Sequence, residues 1–105
     1  EKAASLTVAR SAELDGDHYE ILTPAAEKLF GKHPLAATLL LRAMIDFALR
    51  EARASRYRHA ARHLMECQTL ASSIEDFGAF ETHEAYVARL RAEHGRKTSF
   101  WKVVA

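Results

Sequence analysis

The sequence predicts an all-α domain of five to six helices arranged as antiparallel hairpins. Three observations lead there. Glycine and proline number only four and two in 105 residues, and they fall where helices would stop or start. Alternation of apolar and polar residues never persists, so no stretch reads as a strand. Residues 34–53 are apolar on nearly every side, which suits a helix with neighbours on several faces.

The elements follow in order. A helix over 2–14 stops before Gly16, which lies between Asp15 and Asp17 as a helix end followed by a cap. The next, 18–30, contains Thr23-Pro24, a cap with a first-turn proline, and is closed by Gly31. Pro34 opens the helix 34–53, whose interior polar residues Thr38, Arg42, Asp46 and Arg50 stand four apart. That spacing predicts a central helix with one narrow polar stripe. Arg42, Asp46 and Arg50 could pair along it, at about 0.2–0.5 kcal/mol per exposed pair. A helix over 56–72 is expected to bury Tyr57, Ala60, Ala61, Leu64, Gln68 and Ala71, with His59 and His63 opposite near Leu70 and Cys67 at the edge. Thr82 caps a helix over 83–94 that ends at Gly95, and a short helix near 98–103 closes the chain.

A faint repeat bears on how the helices are arranged. "AAEKL" at 25–29 recurs as "AARHL" at 60–64, each after a tyrosine, Tyr19 and Tyr57. An offset in the mid-thirties is that of helix–turn–helix repeats of the tetratricopeptide kind. A tetratricopeptide-like α–α superhelix and a closed compact bundle are both compatible with it.

Charge and cysteine usage exclude several classes. Fifteen basic against fourteen acidic residues leave a formal charge of +1, too little for a general attraction to nucleic acid or membrane. The single cysteine, Cys67, rules out an internal disulfide and points to a reducing cytoplasm. Thr38, Arg42 and Asp46 interrupt the longest apolar stretch, so no membrane span is expected. The chain opens Glu1-Lys2-Ala3 without methionine. The expectation is one domain, 1–105, from the C-terminal end of a longer protein.

The stretch "RYRHAARHLMEC" places His59, His63 and Cys67 four residues apart. His-x3-His is real metal geometry, but successive i, i+4 steps rotate about 40°, and zinc needs a third and fourth group at tetrahedral angles. Glu66 is expected to point away, and His83 or His94 would have to come from a distant helix. The reading therefore favours a helix face carrying two histidines, with no metal and no cofactor. Cys67 as a mid-helix residue lacks the exposure a catalytic thiol needs, no glycine-rich phosphate loop exists, and no enzyme activity is expected in these residues.

Two basic stretches remain. "REARASRYRHAARH" at 50–63 holds five arginines against one glutamate, and 89–102 sets basic residues beside Phe100 and Trp101. Arginines interleaved with aromatic rings are what single-stranded nucleic-acid surfaces use. Against this, residues 1–31 and 75–84 are acidic, and basic and acidic segments of one small chain tend to meet each other. The candidate interaction residues are Arg50, Arg53, Arg56, Arg96, Lys97 and Trp101. For the tail, Gly95 is expected to turn the chain so that Trp101 packs back near Tyr86 or Leu90, leaving Arg96 and Lys97 in solvent beside the acidic loop.

"HPLAATLLLRAMIDFAL", "RYRHAARHL" and "IEDFGAFETHEAYVARLRAEHGRKTSFW" together resemble the C-terminal part of an uncharacterised bacterial family of long, mostly helical proteins, found especially in proteobacteria and classed as a domain of unknown function. The similarity runs from about His33 to Trp101, and His94-Gly95-Arg96-Lys97 with Phe100-Trp101 is its most specific part. The resemblance implies a helical-repeat tail and brings no activity, cofactor or catalytic residue. The function expected is a protein-interaction or structural module, its partner another protein or the rest of its own chain. The rival is a nucleic-acid-binding module using the 50–62 arginines and the 89–102 tail.

Overall fold

The computed structural model of this chain describes Pro24, residues 26–51 and residues 54–104. The expected helix 2–14, the stop at Gly16, Tyr19 of the repeat and Arg53 lie outside the described residues. Within them every regular element is helical. A segment at 26–29 is followed by α1 (Pro34–Arg50), a 3-10 turn (Ala54–Arg56), α2 (Tyr57–Ala71), α3 (His83–His94) and α4 (Thr98–Val104).

α1 begins with Pro34 in its first turn, where the missing N–H costs nothing. It is buried almost throughout, from Ala36 to Leu49. It ends at Arg50, three residues short of the expected boundary, where the Glu51 amide donates to the carbonyl of Phe47 at 2.9 Å. Most of its polar stripe is covered. Thr38 and Arg42 are buried and Asp46 is half-buried, while Arg50 is exposed. Of the groups expected to pair along the helix, Arg42 and Asp46 instead reach across to α3, and Arg50 stays beside Glu51.

Among the described elements α2 touches the most others, packing against α1, α4, α3 and the 3-10 turn. Its buried residues are Tyr57, Ala60, Ala61, His63, Leu64, Cys67 and Leu70. This corrects the expected stripe in both directions. His63 and Leu70 are inside, Gln68 is exposed and Ala71 is half-buried. At 100° per residue the seven buried positions span about half the helix circumference, the arc a helix needs when it is clasped between two others.

Ala26, Leu29, Ala61 and Leu64 all enter one continuous core that runs on to Tyr86, Leu90 and Phe100. The two copies of the repeat therefore bury equivalent positions 35 residues apart, within a closed core.

Between α2 and α3 the chain turns through Gly78, whose φ of 60° lies in the left-handed region that glycine adopts without a Cβ penalty. The Gly78 amide donates to Asp76 Oδ1 at 2.7 Å. α3 starts as expected: Thr82 Oγ1 accepts from the Ala85 amide at 3.2 Å. α3 ends at Gly95, where a Cβ would stand 2.5 Å from the Arg91 carbonyl oxygen. A glycine is needed there for space, since its φ of −60° is ordinary.

α4 is too short to be stable alone and is held by Phe100, fully buried among α2 side chains and the Tyr57 ring. Trp101 does fold back, but only partly into the core. Its indole Nε1 donates to the His94 carbonyl at 2.9 Å. Its ring lies 4.9 Å from Phe100 and 4.1 Å below the Arg91 guanidinium.

Candidate interaction surface

The polar face of α1 meets α3 in a buried cluster that the sequence reading did not assemble. Arg42 is only 6 % exposed. Its guanidinium lies 4.5 Å over the Tyr86 ring and 5.6 Å over Phe77, while Nε and Nη2 have no hydrogen-bond partner. Burial lowers its pKa, outweighing the nearby anionic groups. The Tyr86 hydroxyl donates to Asp46 Oδ1 at 2.8 Å and lies 3.4 Å from the Arg42 carbonyl. Burial raises the Asp46 pKa, although the Tyr86 hydroxyl and Arg89 both favour the carboxylate. Arg89 reaches Asp46 at 3.9 Å and grips both oxygens of Glu81 at 3.1 Å, with Glu93 on its other side at 3.1 Å. Burial opposes the Arg89 charge, but Asp46 and Glu81 prevail and raise its pKa. The basic 89–102 stretch thus does meet the acidic 75–84 loop, through Arg89 rather than Arg96 or Lys97. Four-residue spacing marked Arg42 and Asp46; nothing in the sequence pointed to Tyr86 as their cap.

The metal candidates do not converge. His59 is exposed, while His63 is 5 % and Cys67 1 % exposed. Contrary to expectation, Glu66 turns toward His63, its Oε1 3.0 Å from His63 Nδ1. Among the described residues no three His, Cys, Asp or Glu side chains are grouped to hold a metal ion. Burial pushes the Cys67 thiol up to about 12, so it is not a nucleophile near neutral pH.

The basic interaction candidates are scattered and partly engaged. Arg50 and Arg56 lie over the Phe47 ring at 5.9 and 5.3 Å, and Arg50 also approaches Glu51 at 3.8 Å. Arg96 is exposed and Lys97 half-exposed at the α3–α4 turn. Trp101 has one face on Arg91. Among the described residues no continuous strip of rings and cations results.

A concave feature lined by described residues lies elsewhere. A groove of about 780 Å³ runs between the C-terminal half of α2, α3 and the end of α4. Leu64, Met65, Val87, Ala88 and Val104 give it apolar walls, and Gln68, His83, Glu84 and Arg91 give it polar edges. Gln68, which the helical wheel placed in the core, faces this groove. Met65 in its wall is 43 % exposed, and Val103, next to the lining residue Val104, is 44 % exposed. α3 leans on its neighbours chiefly through Tyr86 and Leu90, the two residues it buries fully, which leaves the groove open beside them.

Three of the described histidines bear on the acid response. Burial lowers the pKa of His63, with Glu66 opposing; burial and then Arg42 lower that of His83; burial and then Lys97 lower that of His94. A histidine with a lowered folded pKa takes up protons more readily unfolded, so stability falls as pH drops below about 6.5. Asp46, raised above 3.8 in the fold, acts in the opposite sense but in the lower window above 3.8. The melting temperature is therefore expected to decline from pH 7.5 to 5.5. H63N should flatten that slope, because His63 is the most buried of the three and is faced by Glu66, Glu27 and Arg62. A slope unchanged in H63N would remove His63 from the account.

No helix of the described residues is long and apolar enough to cross a membrane. Compared with known proteins, residues 1–103 match the model described as Family of unknown function (DUF6880). No curated protein and no solved structure matches.

Proposed function

This chain belongs to that family of unknown function, and on that premise we propose that it is a helical protein-interaction module whose contact surface is the groove between α2, α3 and the end of α4. The open groove with Met65 exposed in its wall carries the reading. A monomer gains nothing by leaving such side chains in water, and exposed apolar concavities rimmed by polar groups mark protein contacts. Its volume suits several side chains of a helix or peptide laid along it. The equivalent burial of Ala26 with Ala61 and Leu29 with Leu64 supports helical hairpins of the tetratricopeptide-like kind. The reading places the module in the cytoplasm of a bacterium and assigns it no catalytic step.

The nucleic-acid rival is less well supported. Arg89 is tied to three carboxylates, Phe47 is already covered by Arg50 and Arg56, and Trp101 is occupied by Arg91 and Phe100. A photoreactive residue at position 65 tests the reading in cells producing the protein. A discrete protein adduct at 65, absent when the same residue stands at exposed Arg58, is expected. Failure to form any adduct at 65, together with salt-sensitive binding of single-stranded RNA or DNA, would replace this reading by its rival.

A further inference from the structure

We propose that the occupant of this surface is a second copy of the same chain, paired by laying α3 antiparallel on α3 about a two-fold axis; the inference rests on the groove being a protein contact. α3 buries only Tyr86 and Leu90, and Glu84, Ala88 and Arg91 are exposed on its other side. Glu84 and Arg91 are seven residues apart, two turns less about 20°, so they share one face about 10 Å apart. Turned end for end, that face meets its own complement. An axis near Val87 and Ala88 sets Glu84 against Arg91 of the second copy and repeats the pair on the far side. The small side chain of Ala88 at the centre lets the two helices approach closely.

Both charges are available for this. Neither makes a hydrogen bond or ion pair with another described residue. Arg91 lies over the Trp101 ring, which steadies the guanidinium plane while leaving its edge N–H groups for a carboxylate. Glu84 in the first turn and Arg91 in the last turn also suit the dipole of α3. The dipole, however, does not require them to share a face, and it does not account for Met65 standing open beside them. A 12-residue helix offers a face only about 18 Å long, so two such faces bury less than the roughly 1,200–2,000 Å² of a standard interface. The association is accordingly weak, concentration-dependent and reduced by salt.

Sedimentation over a concentration series tests the pairing with E84R and R91E. Wild type is expected to show a reversible monomer–dimer equilibrium. Each single reversal sets like charges opposite each other twice and should weaken the dimer at least about tenfold. Mixing the two variants in equal amounts makes both cross-pairs opposite in sign again and should restore the dimer as a heterodimer, as should E84R/R91E in one chain. The mixture guards against misfolding, since two damaged chains would not restore each other. A monomeric wild type at every concentration, or single reversals without effect, or a mixture that stays monomeric, overturns the proposal. The adduct at position 65 separates the two ideas. Twice the chain mass supports both, a different protein keeps the contact surface and overturns the self-pairing, and no adduct removes both.

Discussion

Replacing Phe100 with alanine is expected to lower the melting temperature by about 15 °C. Phe100 is fully buried and is the only buried residue of α4. Its ring meets Tyr57 edge-on at 6.1 Å and Trp101 at 4.9 Å. Truncating a core phenylalanine costs about 3–5 kcal/mol in transfer and cavity terms. For a domain of this size each kcal/mol moves the midpoint by roughly 4 °C or more. Seven residues cannot hold a helix by themselves, so α4 should detach and carry Trp101 with it. Trp101 emission should then shift to the red at temperatures where α1 and α2 remain helical. Deleting 98–105 should be at least as costly. A shift of less than about 5 °C in F100A would mean that α4 is not docked through this ring.

The second large effect is expected at Tyr86. Y86F keeps the ring that covers Arg42 and removes only the hydroxyl that donates to Asp46 at 2.8 Å. A hydrogen bond to a charged group is worth about 1.5–3 kcal/mol, so the melting temperature should fall by roughly 10 °C. Arg89 at 3.9 Å is too far to take over the bond. The Asp46 pKa, already raised by burial, should rise further in Y86F, because the lost donor favoured the carboxylate. Pairing Y86F with D46A in a double-mutant cycle should give a coupling of about 1 kcal/mol or more. Additive effects would show that the hydroxyl and the carboxylate do not interact.

Residues 34–50 were legible as a buried helix because burial on nearly every side leaves a local mark, an apolar run interrupted by only one polar residue per turn. The caps and stops at Pro34, Thr82 and Gly95 were legible for the same reason: each acts on backbone groups within four residues. The metal motif was legible only as spacing. Whether His59, His63 and Cys67 face one point depends on which arc of α2 its neighbours cover, and that arc is shifted toward His63 and Leu70 by α1 and α4 packing on both sides. Nor could spacing reveal that Asp46 would turn to Tyr86, 40 residues away.

The sequence alone determined that the described residues are helical, where α2, α3 and α4 begin and end to within a residue, and which described helix is most deeply buried, because propensity, capping and periodicity are local. Only the tertiary structure decided that α2 touches most of the other described elements, that Arg42 and Asp46 of α1 are covered from α3, and that a groove stays open beside Met65. Those outcomes depend on the shapes of faces brought together from distant parts of the chain. α3, held by two buried side chains, could not close the space its neighbours left.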